Sequence, residues 1–178
     1  MEQETTIQQT QNPQPVEYAG FWRRFVAYII DSLIVGFVQQ ILILPFLGII
    51  GISFASIGAW DFDDPAYFDE PEGFAWIVAI IGAYFTIIVL SVVLQWLYFS
   101  LMESSKYQGT LGKIALNIKV TNYRGERISF LKATGRYFSK IISGLIFLIG
   151  YIMAGFTEKK QALHDMIAET YVIKKDLN

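Results

Sequence analysis

Hydrophobic positions in this chain fall in three uninterrupted runs separated by strongly charged stretches. The first run begins at about Gly20, with Phe21, Trp22 and Tyr28 near its start, and predicts a helix over about residues 21–50 with Pro45 bending its outer third. The second predicts a helix over 76–101. It is uncharged throughout, has Gln95 as its one strongly polar side chain, and ends in Trp96, Tyr98 and Phe99. The third, within 137–157, is short. Its uncharged part, Ile141–Thr157, falls below the roughly 20 residues a spanning helix needs and contains Gly144, Gly150 and Gly155. It either spans or re-enters as two half-helices. A re-entrant or interfacial form is expected, because it keeps Lys159, Lys160, Lys174 and Lys175 on the same side as the basic loop before it.

Between the runs the polar pattern changes period. Ile114, Leu116, Ile118 and Val120 alternate with Ala115, Asn117 and Lys119, which predicts a half-buried strand. The following Asn-Tyr-Arg-Gly supplies a turn towards a second strand near Arg127–Phe130, and the β-branched stretch Thr170–Ile173 offers a third. The fold class is therefore mainly α: a polytopic membrane protein with two long transmembrane helices, a third short apolar segment and a small cytoplasmic β element. Residues 1–19, with few large apolar side chains, read as a disordered tail, and residues 20–175 as one membrane domain.

Composition agrees with this picture. Of 178 residues, 53% are hydrophobic and 16% aromatic, with a mean hydropathy of +0.40, above the range of soluble domains. The net charge of -2 says little, because charge is partitioned by position. Residues 51–75 hold Asp61, Asp63, Asp64, Asp69, Glu70 and Glu72 and no Lys or Arg, whereas 102–136 hold Lys106, Lys113, Lys119, Arg124, Arg127, Lys132 and Arg136 against Glu103 and Glu126. The positive-inside rule puts the N-terminus and the basic loop in the cytoplasm and the acidic loop outside. The localisation read from this is a multi-pass cell-membrane protein. No basic leader or small-residue cleavage site precedes the first run, so that helix is expected to be an uncleaved anchor.

Candidate chemistry concentrates at the start of the first helix. Asp31 lies seven residues beyond Arg24, roughly 10 Å deeper on almost the same face, while Arg23 points about 100° away. An acid at that depth is either functional or half of a structural ion pair between helices. Other signals are weaker. The run Asp61–Asp64 lacks the spacing of an EF-hand loop, and Gly109–Lys113 lacks that of a phosphate loop, which leaves Lys113 a secondary candidate in a glycine-rich turn. His164, the only histidine, reads as a solvated or capping residue before a proton relay, and a lone histidine with scattered carboxylates is a poor metal site. The chain has no cysteine, no nucleophile paired with a base and no cofactor motif, so neither an enzyme nor a cofactor is expected.

Three segments, AGFWRRFVAYIID (Ala19–Asp31), YQGTLGKIALNIKV (Tyr107–Val120) and KKQALHDMIAETYVI (Lys159–Ile173), together resemble the RDD family of small membrane proteins, named for one arginine and two aspartates. The resemblance puts the arginine at Arg24, beside Arg23, and the aspartates at Asp31 and Asp165. It implies a membrane protein for which transport of ions or small solutes is suggested, of the cation/proton exchange type in some members. On this basis Arg24, Asp31 and Asp165 are expected to form one electrostatic unit, with the Arg24 guanidinium bridging both carboxylates. Two principal spans are few to enclose a pathway, so a homo-oligomer or another membrane protein is an expected partner, besides the bilayer and a small cation or proton. A non-transporting scaffold or regulatory subunit, or a binder of anionic lipid through the basic loop, is the alternative. Nucleic acid is not an expected partner.

Overall fold

The computed structural model describes residues 16–56, 71–146 and 149–175. Two helices dominate it: α1 (Phe21–Ser56, 36 residues) and α2 (Pro71–Ser104, 34 residues). Each contains a stretch long and apolar enough to cross a membrane, Phe21–Ile52 and Ile77–Ser104. Both extend past the expected ends into what reads as the acidic loop. Between Ile50 and Ser56 no proline or charge stops α1, and α2 opens on Pro71, whose fixed φ suits a first helical position. Most of the acidic stretch, including Asp61–Asp64, lies outside the described residues. Apolar side chains such as Leu33, Phe37 and Ile49 on α1 and Ile81, Tyr84 and Phe85 on α2 are exposed, as a lipid-facing surface requires. Midway along them, the Gln39 side-chain amide donates to the Ser91 carbonyl at 3.1 Å.

The remaining elements gather at one end of this pair. A short helix, α3 (Leu111–Ala115), leads into β1 (Ile118–Asn122). Helices α4 (Phe130–Leu145), α5 (Ile149–Phe156) and α6 (Leu163–Ile167) follow, and β2 (Thr170–Lys174) closes the described chain. Strands β1 and β2 pair antiparallel with Val120 opposite Val172. Both valines are fully buried in a small core with Ala19, Ala27, Ile118, Ile128 and Ala133. The end of the expected tail joins this sheet. Tyr18 bridges to Ile173, and the Ala19 N–H donates to the Val172 carbonyl at 2.8 Å, which fixes the entry into α1.

Two expectations for the sheet are corrected. The alternation over 114–120 is strand only from Ile118, because Leu111–Ala115 coils to bring the Gly112 N–H onto Asp31, and Asn117, at φ 52°, reverses the chain before the strand begins. The turn after β1 forms as read, with Asn122 Oδ1 accepting from the N–H groups of Arg124 and Glu126 at 2.9 Å each and Gly125 at φ 81°. No strand follows it at Arg127–Phe130, however. Ser129 caps α4 there, its hydroxyl accepting from the Lys132 N–H at 3.2 Å. The sheet therefore has two strands, and the partner of β1 comes from the far end of the chain.

Helix α4 is turned inside out relative to a helix of a soluble protein. Ala133, Arg136, Ser139 and Ser143 lie along one buried face, while Leu131, Phe138, Ile141, Ile142 and Leu145 are exposed. Small and polar residues inward with large apolar residues outward is the pattern expected where the surroundings are lipid. The α4 and α5 axes differ by 101°. Because β1 precedes this bent pair and β2 follows it, and the two strands are hydrogen-bonded, the pair returns to the end of the bundle it started from.

Two glycines set the closest approaches. A Cβ at Gly112 would strike the Ala27 carbonyl oxygen and lie 3.0 Å from Asp31 Cγ, and one at Gly150 would lie 2.8 Å from Ser143 Cβ. Gly82, by contrast, has nothing within 4 Å of such a Cβ. Gly112→Ala is therefore expected to separate α3 from α1 and cost about 1 to 3 kcal/mol, whereas Gly82→Ala is neutral or gains up to about 1 kcal/mol of helix propensity. Thermal unfolding of the two purified variants in detergent decides this; equal melting temperatures would sink the close-packing account.

Candidate functional site

At the end where α1 meets the small elements, two carboxylate centres lie inside the protein, and they are built differently. Asp165, on α6, is fully buried. Its Oδ1 accepts from Arg136 Nε at 2.9 Å and Nη2 at 2.5 Å, and its Oδ2 pairs with Arg24 Nη1 and accepts from the Ala162 N–H at 3.0 Å. Arg24 spends its remaining donors on backbone, with Nε on the Ala19 carbonyl at 2.9 Å and Nη2 on the Lys160 carbonyl at 2.5 Å. Arg136 carries the network onward, its Nη1 donating to Glu103 Oε2 at 2.6 Å. The other oxygen of Glu103 pairs with Lys113 Nζ, and Lys140 Nζ stands 3.6 Å from it. The result is a buried chain Arg24–Asp165–Arg136–Glu103–Lys113 with Lys140 at its margin, drawing on α1, α6, α4, α2 and α3.

Asp31 is also buried, but its partners are neutral. Its Oδ1 accepts from Tyr98 Oη and the Gly112 N–H, both at 2.8 Å, and its Oδ2 from Thr110 Oγ1 at 2.5 Å. Tyr98 Oη in turn accepts from the Leu111 N–H at 3.1 Å. The single unit expected of Arg24, Asp31 and Asp165 is thus divided. Arg24 pairs with Asp165 alone among the acids, because its donors point back towards the start of α1, and the second cation on Asp165 is Arg136. Arg23 is exposed, on the face turned away from the network.

His164 is neither the solvated nor the capping residue expected. It is buried, with Nδ1 3.3 Å from Ser143 Oγ, its ring 5.1 Å from that of Tyr151 and Nε2 3.6 Å from Asp165 Oδ1. Burial holds its pKa well below the usual value of 6.5, and the nearby Asp165 does not offset that. Burial also pushes Lys113 down to about 7 in spite of the Glu103 carboxylate beside it. For Asp165, burial acts upward, but the guanidiniums of Arg136 and Arg24 prevail and hold the carboxyl well below the ordinary range. Among the described residues, no group of three or more His, Asp or Glu side chains could hold a metal ion.

Several of these residues escape a reading of the sequence alone. Glu103 and Arg136 count there as loop charges setting topology, and Tyr98 and Thr110 as interfacial and turn residues. One signal was available for Arg136: it shares the α4 face of Ser139, Lys140 and Ser143 at helical spacing, on a helix whose other side is apolar.

A cavity of about 510 Å³ opens beside the network, between α1, α2, α4 and α5. Arg24, Asp31, Lys113, Arg136, Lys140 and His164 reach its wall, and Phe25, Tyr28, Phe99 and Ile141 supply apolar surface.

The division into two centres makes a measurable difference. Arg136→Gln leaves Glu103 and Asp165 each short of a cation and should cost about 3 to 5 kcal/mol. In double-mutant cycles read by unfolding in detergent, Arg24→Gln with Asp165→Asn should depart from additivity by about 0.5 to 3 kcal/mol, whereas Arg24→Gln with Asp31→Asn should add to within about 0.5 kcal/mol. Coupling of Arg24 to Asp31 as strong as to Asp165 would contradict the separation.

His164 sets an acid limit. Its folded pKa lies below the unfolded value, so as pH falls through about 6.5 the unfolded chain takes up a proton that the folded chain refuses, and stability drops by a slope approaching about 1.4 kcal/mol per pH unit. Asp165 adds its loss only near the ordinary carboxylate range, further into acid. Melting temperatures measured from pH 7.5 to 5 should fall for the parent chain and stay flatter for His164→Gln; parallel curves would refute this assignment.

A model of the RDD family matches residues 18–169. The chain is 42% identical over 157 residues to the uncharacterized protein YxaI of Bacillus subtilis (strain 168), covering 88% of this chain and 97% of that one. It is 28% identical over 166 residues to the uncharacterized membrane protein YteJ of the same strain, covering 90% and 83%. No solved structure matches. With two membrane-length helices, a bent third segment and most of its length under the family match, this chain belongs to the RDD family of membrane proteins.

Proposed function

We propose that the protein is a solute-binding membrane protein of the transport type, with the cavity between α1, α2, α4 and α5 as its chamber, working as a homo-oligomer or with another membrane protein. The observation that carries this reading is the chamber itself: about 510 Å³ of space bordered by ionisable side chains at the end of two membrane-length helices. A purely structural salt-bridge network has no need of such space beside it. In the orientation that charge favours, the chamber lies towards the cytoplasmic end, with the N-terminus and residues 102–136 inside and the acidic stretch outside. The exposed apolar faces of α1 and α2 leave room for a second copy or a partner.

Exchange of a cation for a proton would need a carboxylate that gives up its partners during the cycle. Asp31 is the better suited of the two, since its neutral donors can rotate or release without stranding a buried cation. One observation favours the alternative, a non-transporting scaffold or regulatory subunit: every carboxylate at the site already has its hydrogen bonds filled.

Flux through purified protein in liposomes separates these readings, with sodium- or potassium-driven pH change and release of an organic anion as probes. A Cβ at Gly144, on the chamber wall, has nothing within 4 Å, so the first atom of a Gly144→Leu side chain meets no neighbour, and the substitution adds bulk at the chamber. The parent chain should support flux of at least one probe. Gly144→Leu should abolish it, and Asp31→Asn should reduce it at least about ten-fold while melting within a few degrees of the parent. Absence of flux for every probe, or flux untouched by Gly144→Leu, favours the scaffold.

A further inference from the structure

We propose that the chamber takes an anionic amphiphile, its phosphate or carboxylate head against Lys113 and Lys140 and its apolar body along Phe21, Phe25, Phe99 and Ile152. This deepens the reading of the cavity as a ligand chamber and rests on it.

The first argument is charge. Four cations, Arg24, Lys113, Arg136 and Lys140, reach the wall, whereas the two carboxylates that balance them, Glu103 and Asp165, stand behind it. Asp31 also reaches the wall, but its oxygens are occupied by Tyr98, Thr110 and Gly112 and offer no ion pair. With Asp31 counted, four cations stand against three carboxylates, and the remaining positive charge lies in a low-dielectric space, where an unbalanced charge is costly and an anion is the group that relieves it. A cationic ligand would meet that excess with nothing free to hold it.

The second argument is the state of the donors. The arginines are committed: Arg136 donates three hydrogen bonds to Glu103 and Asp165, and Arg24 donates to Asp165 and to two carbonyls. Lys140 is held far more loosely, with Nζ 3.6 Å from Glu103 and 4.5 Å from the centre of the Phe99 ring. An ammonium resting on an aromatic face at the edge of a network keeps donors for an incoming oxyanion. Lys113, which shares the same Glu103 oxygen, lies within the same reach.

The third argument is the remaining wall. Beside these cations it is aromatic and aliphatic, so a bare hydrated anion would leave most of it facing water, whereas an attached hydrocarbon chain would cover it. The volume, about 510 Å³, is sufficient for a head group with a short chain. The amphiphile could come from the bilayer as an anionic lipid or from solution as an organic phosphate or carboxylate, and the head-group chemistry is the same.

The test uses the full chain in zwitterionic nanodiscs, titrated by microscale thermophoresis with hexyl phosphate, inorganic phosphate, hexyltrimethylammonium and short-chain phosphatidylglycerol. Hexyl phosphate is expected to bind at least about ten-fold more tightly than inorganic phosphate or the ammonium compound, from the apolar chain and the charge respectively. Lys140→Gln should weaken it about ten-fold, Lys140→Arg should restore most of the affinity, and Gly144→Leu should abolish binding. Phosphatidylglycerol binding more tightly than hexyl phosphate identifies a lipid head group as the source, and the reverse order a soluble organic anion; either order supports the site. Equal binding of the ammonium compound, no binding of any anion, or affinity unchanged in Lys140→Gln and Gly144→Leu overturns it. Binding with this anion preference but no flux would leave the inference standing and remove the transport reading. Flux with cation preference would do the opposite.

Discussion

A carboxylate withdrawn from water among helices is tolerable only when its charge is balanced and its lone pairs are filled, and at Asp165 that requirement organises the whole end of the bundle. The two oxygens take four donors, from Arg136, Arg24 and the Ala162 N–H. Satisfying them ties α6 to α4 and to the first turn of α1. Each arginine then carries the demand outward, Arg136 to Glu103 on α2 and Arg24 to the carbonyls of Ala19 and Lys160. The guanidinium suits this role because its planar fork presents several donors in fixed directions, so one side chain satisfies two carboxylates or a carboxylate and two carbonyls; an ammonium would not.

Packing and electrostatics reinforce each other here. Helix α4 can deliver Arg136 inward only because the rest of its inner face is small, with Ala133, Ser139 and Ser143, and because α5 closes on Ser143 through Gly150. On the opposite side, α3 approaches α1 closely enough for the Gly112 N–H to reach Asp31 only because residue 112 has no side chain. The glycines do not confer flexibility in these places. They remove the atoms that would keep the polar partners apart.

What could be read from the sequence follows the range of the interaction responsible. Long apolar runs and their punctuation are local, so α1, α2 and the break in the third segment were legible, as was the turn after β1 from Asn122 and Gly125. The strand at Thr170–Ile173 was legible too, but its direct pairing with β1 was not, because that depends on the bent α4–α5 pair returning to the same end, and local propensity pointed instead to a hairpin at Arg127–Phe130. Ile114 and Ala115 read as the start of a strand, yet they close the short helix Leu111–Ala115, in which the Gly112 N–H is taken by the buried carboxylate of Asp31, far earlier in the chain. The same holds for the site. Arg24, Asp31 and Asp165 stand in recognisable motifs, whereas Glu103 and Arg136 look like the loop charges that any cytoplasmic segment carries. Only their burial separates them from Arg124 or Arg127, and burial is a property of the fold.

The two acids that the resemblance points to, Asp31 and Asp165, are therefore held in different ways. Asp165 is locked: removing either guanidinium strands a buried charge, so it cannot exchange partners cheaply during a functional cycle. Asp31 is held by a phenol, a hydroxyl and an amide N–H, each of which can let go without stranding a buried cation. If one end of this protein moves, the physical asymmetry places the movement at α3 and Asp31 and the pivot at α6 and Asp165. The loosely held Lys140 lies on the cavity wall that Asp31 also reaches, 3.6 Å from the Glu103 that Arg136 ties to Asp165, so a charge placed beside it is near both centres.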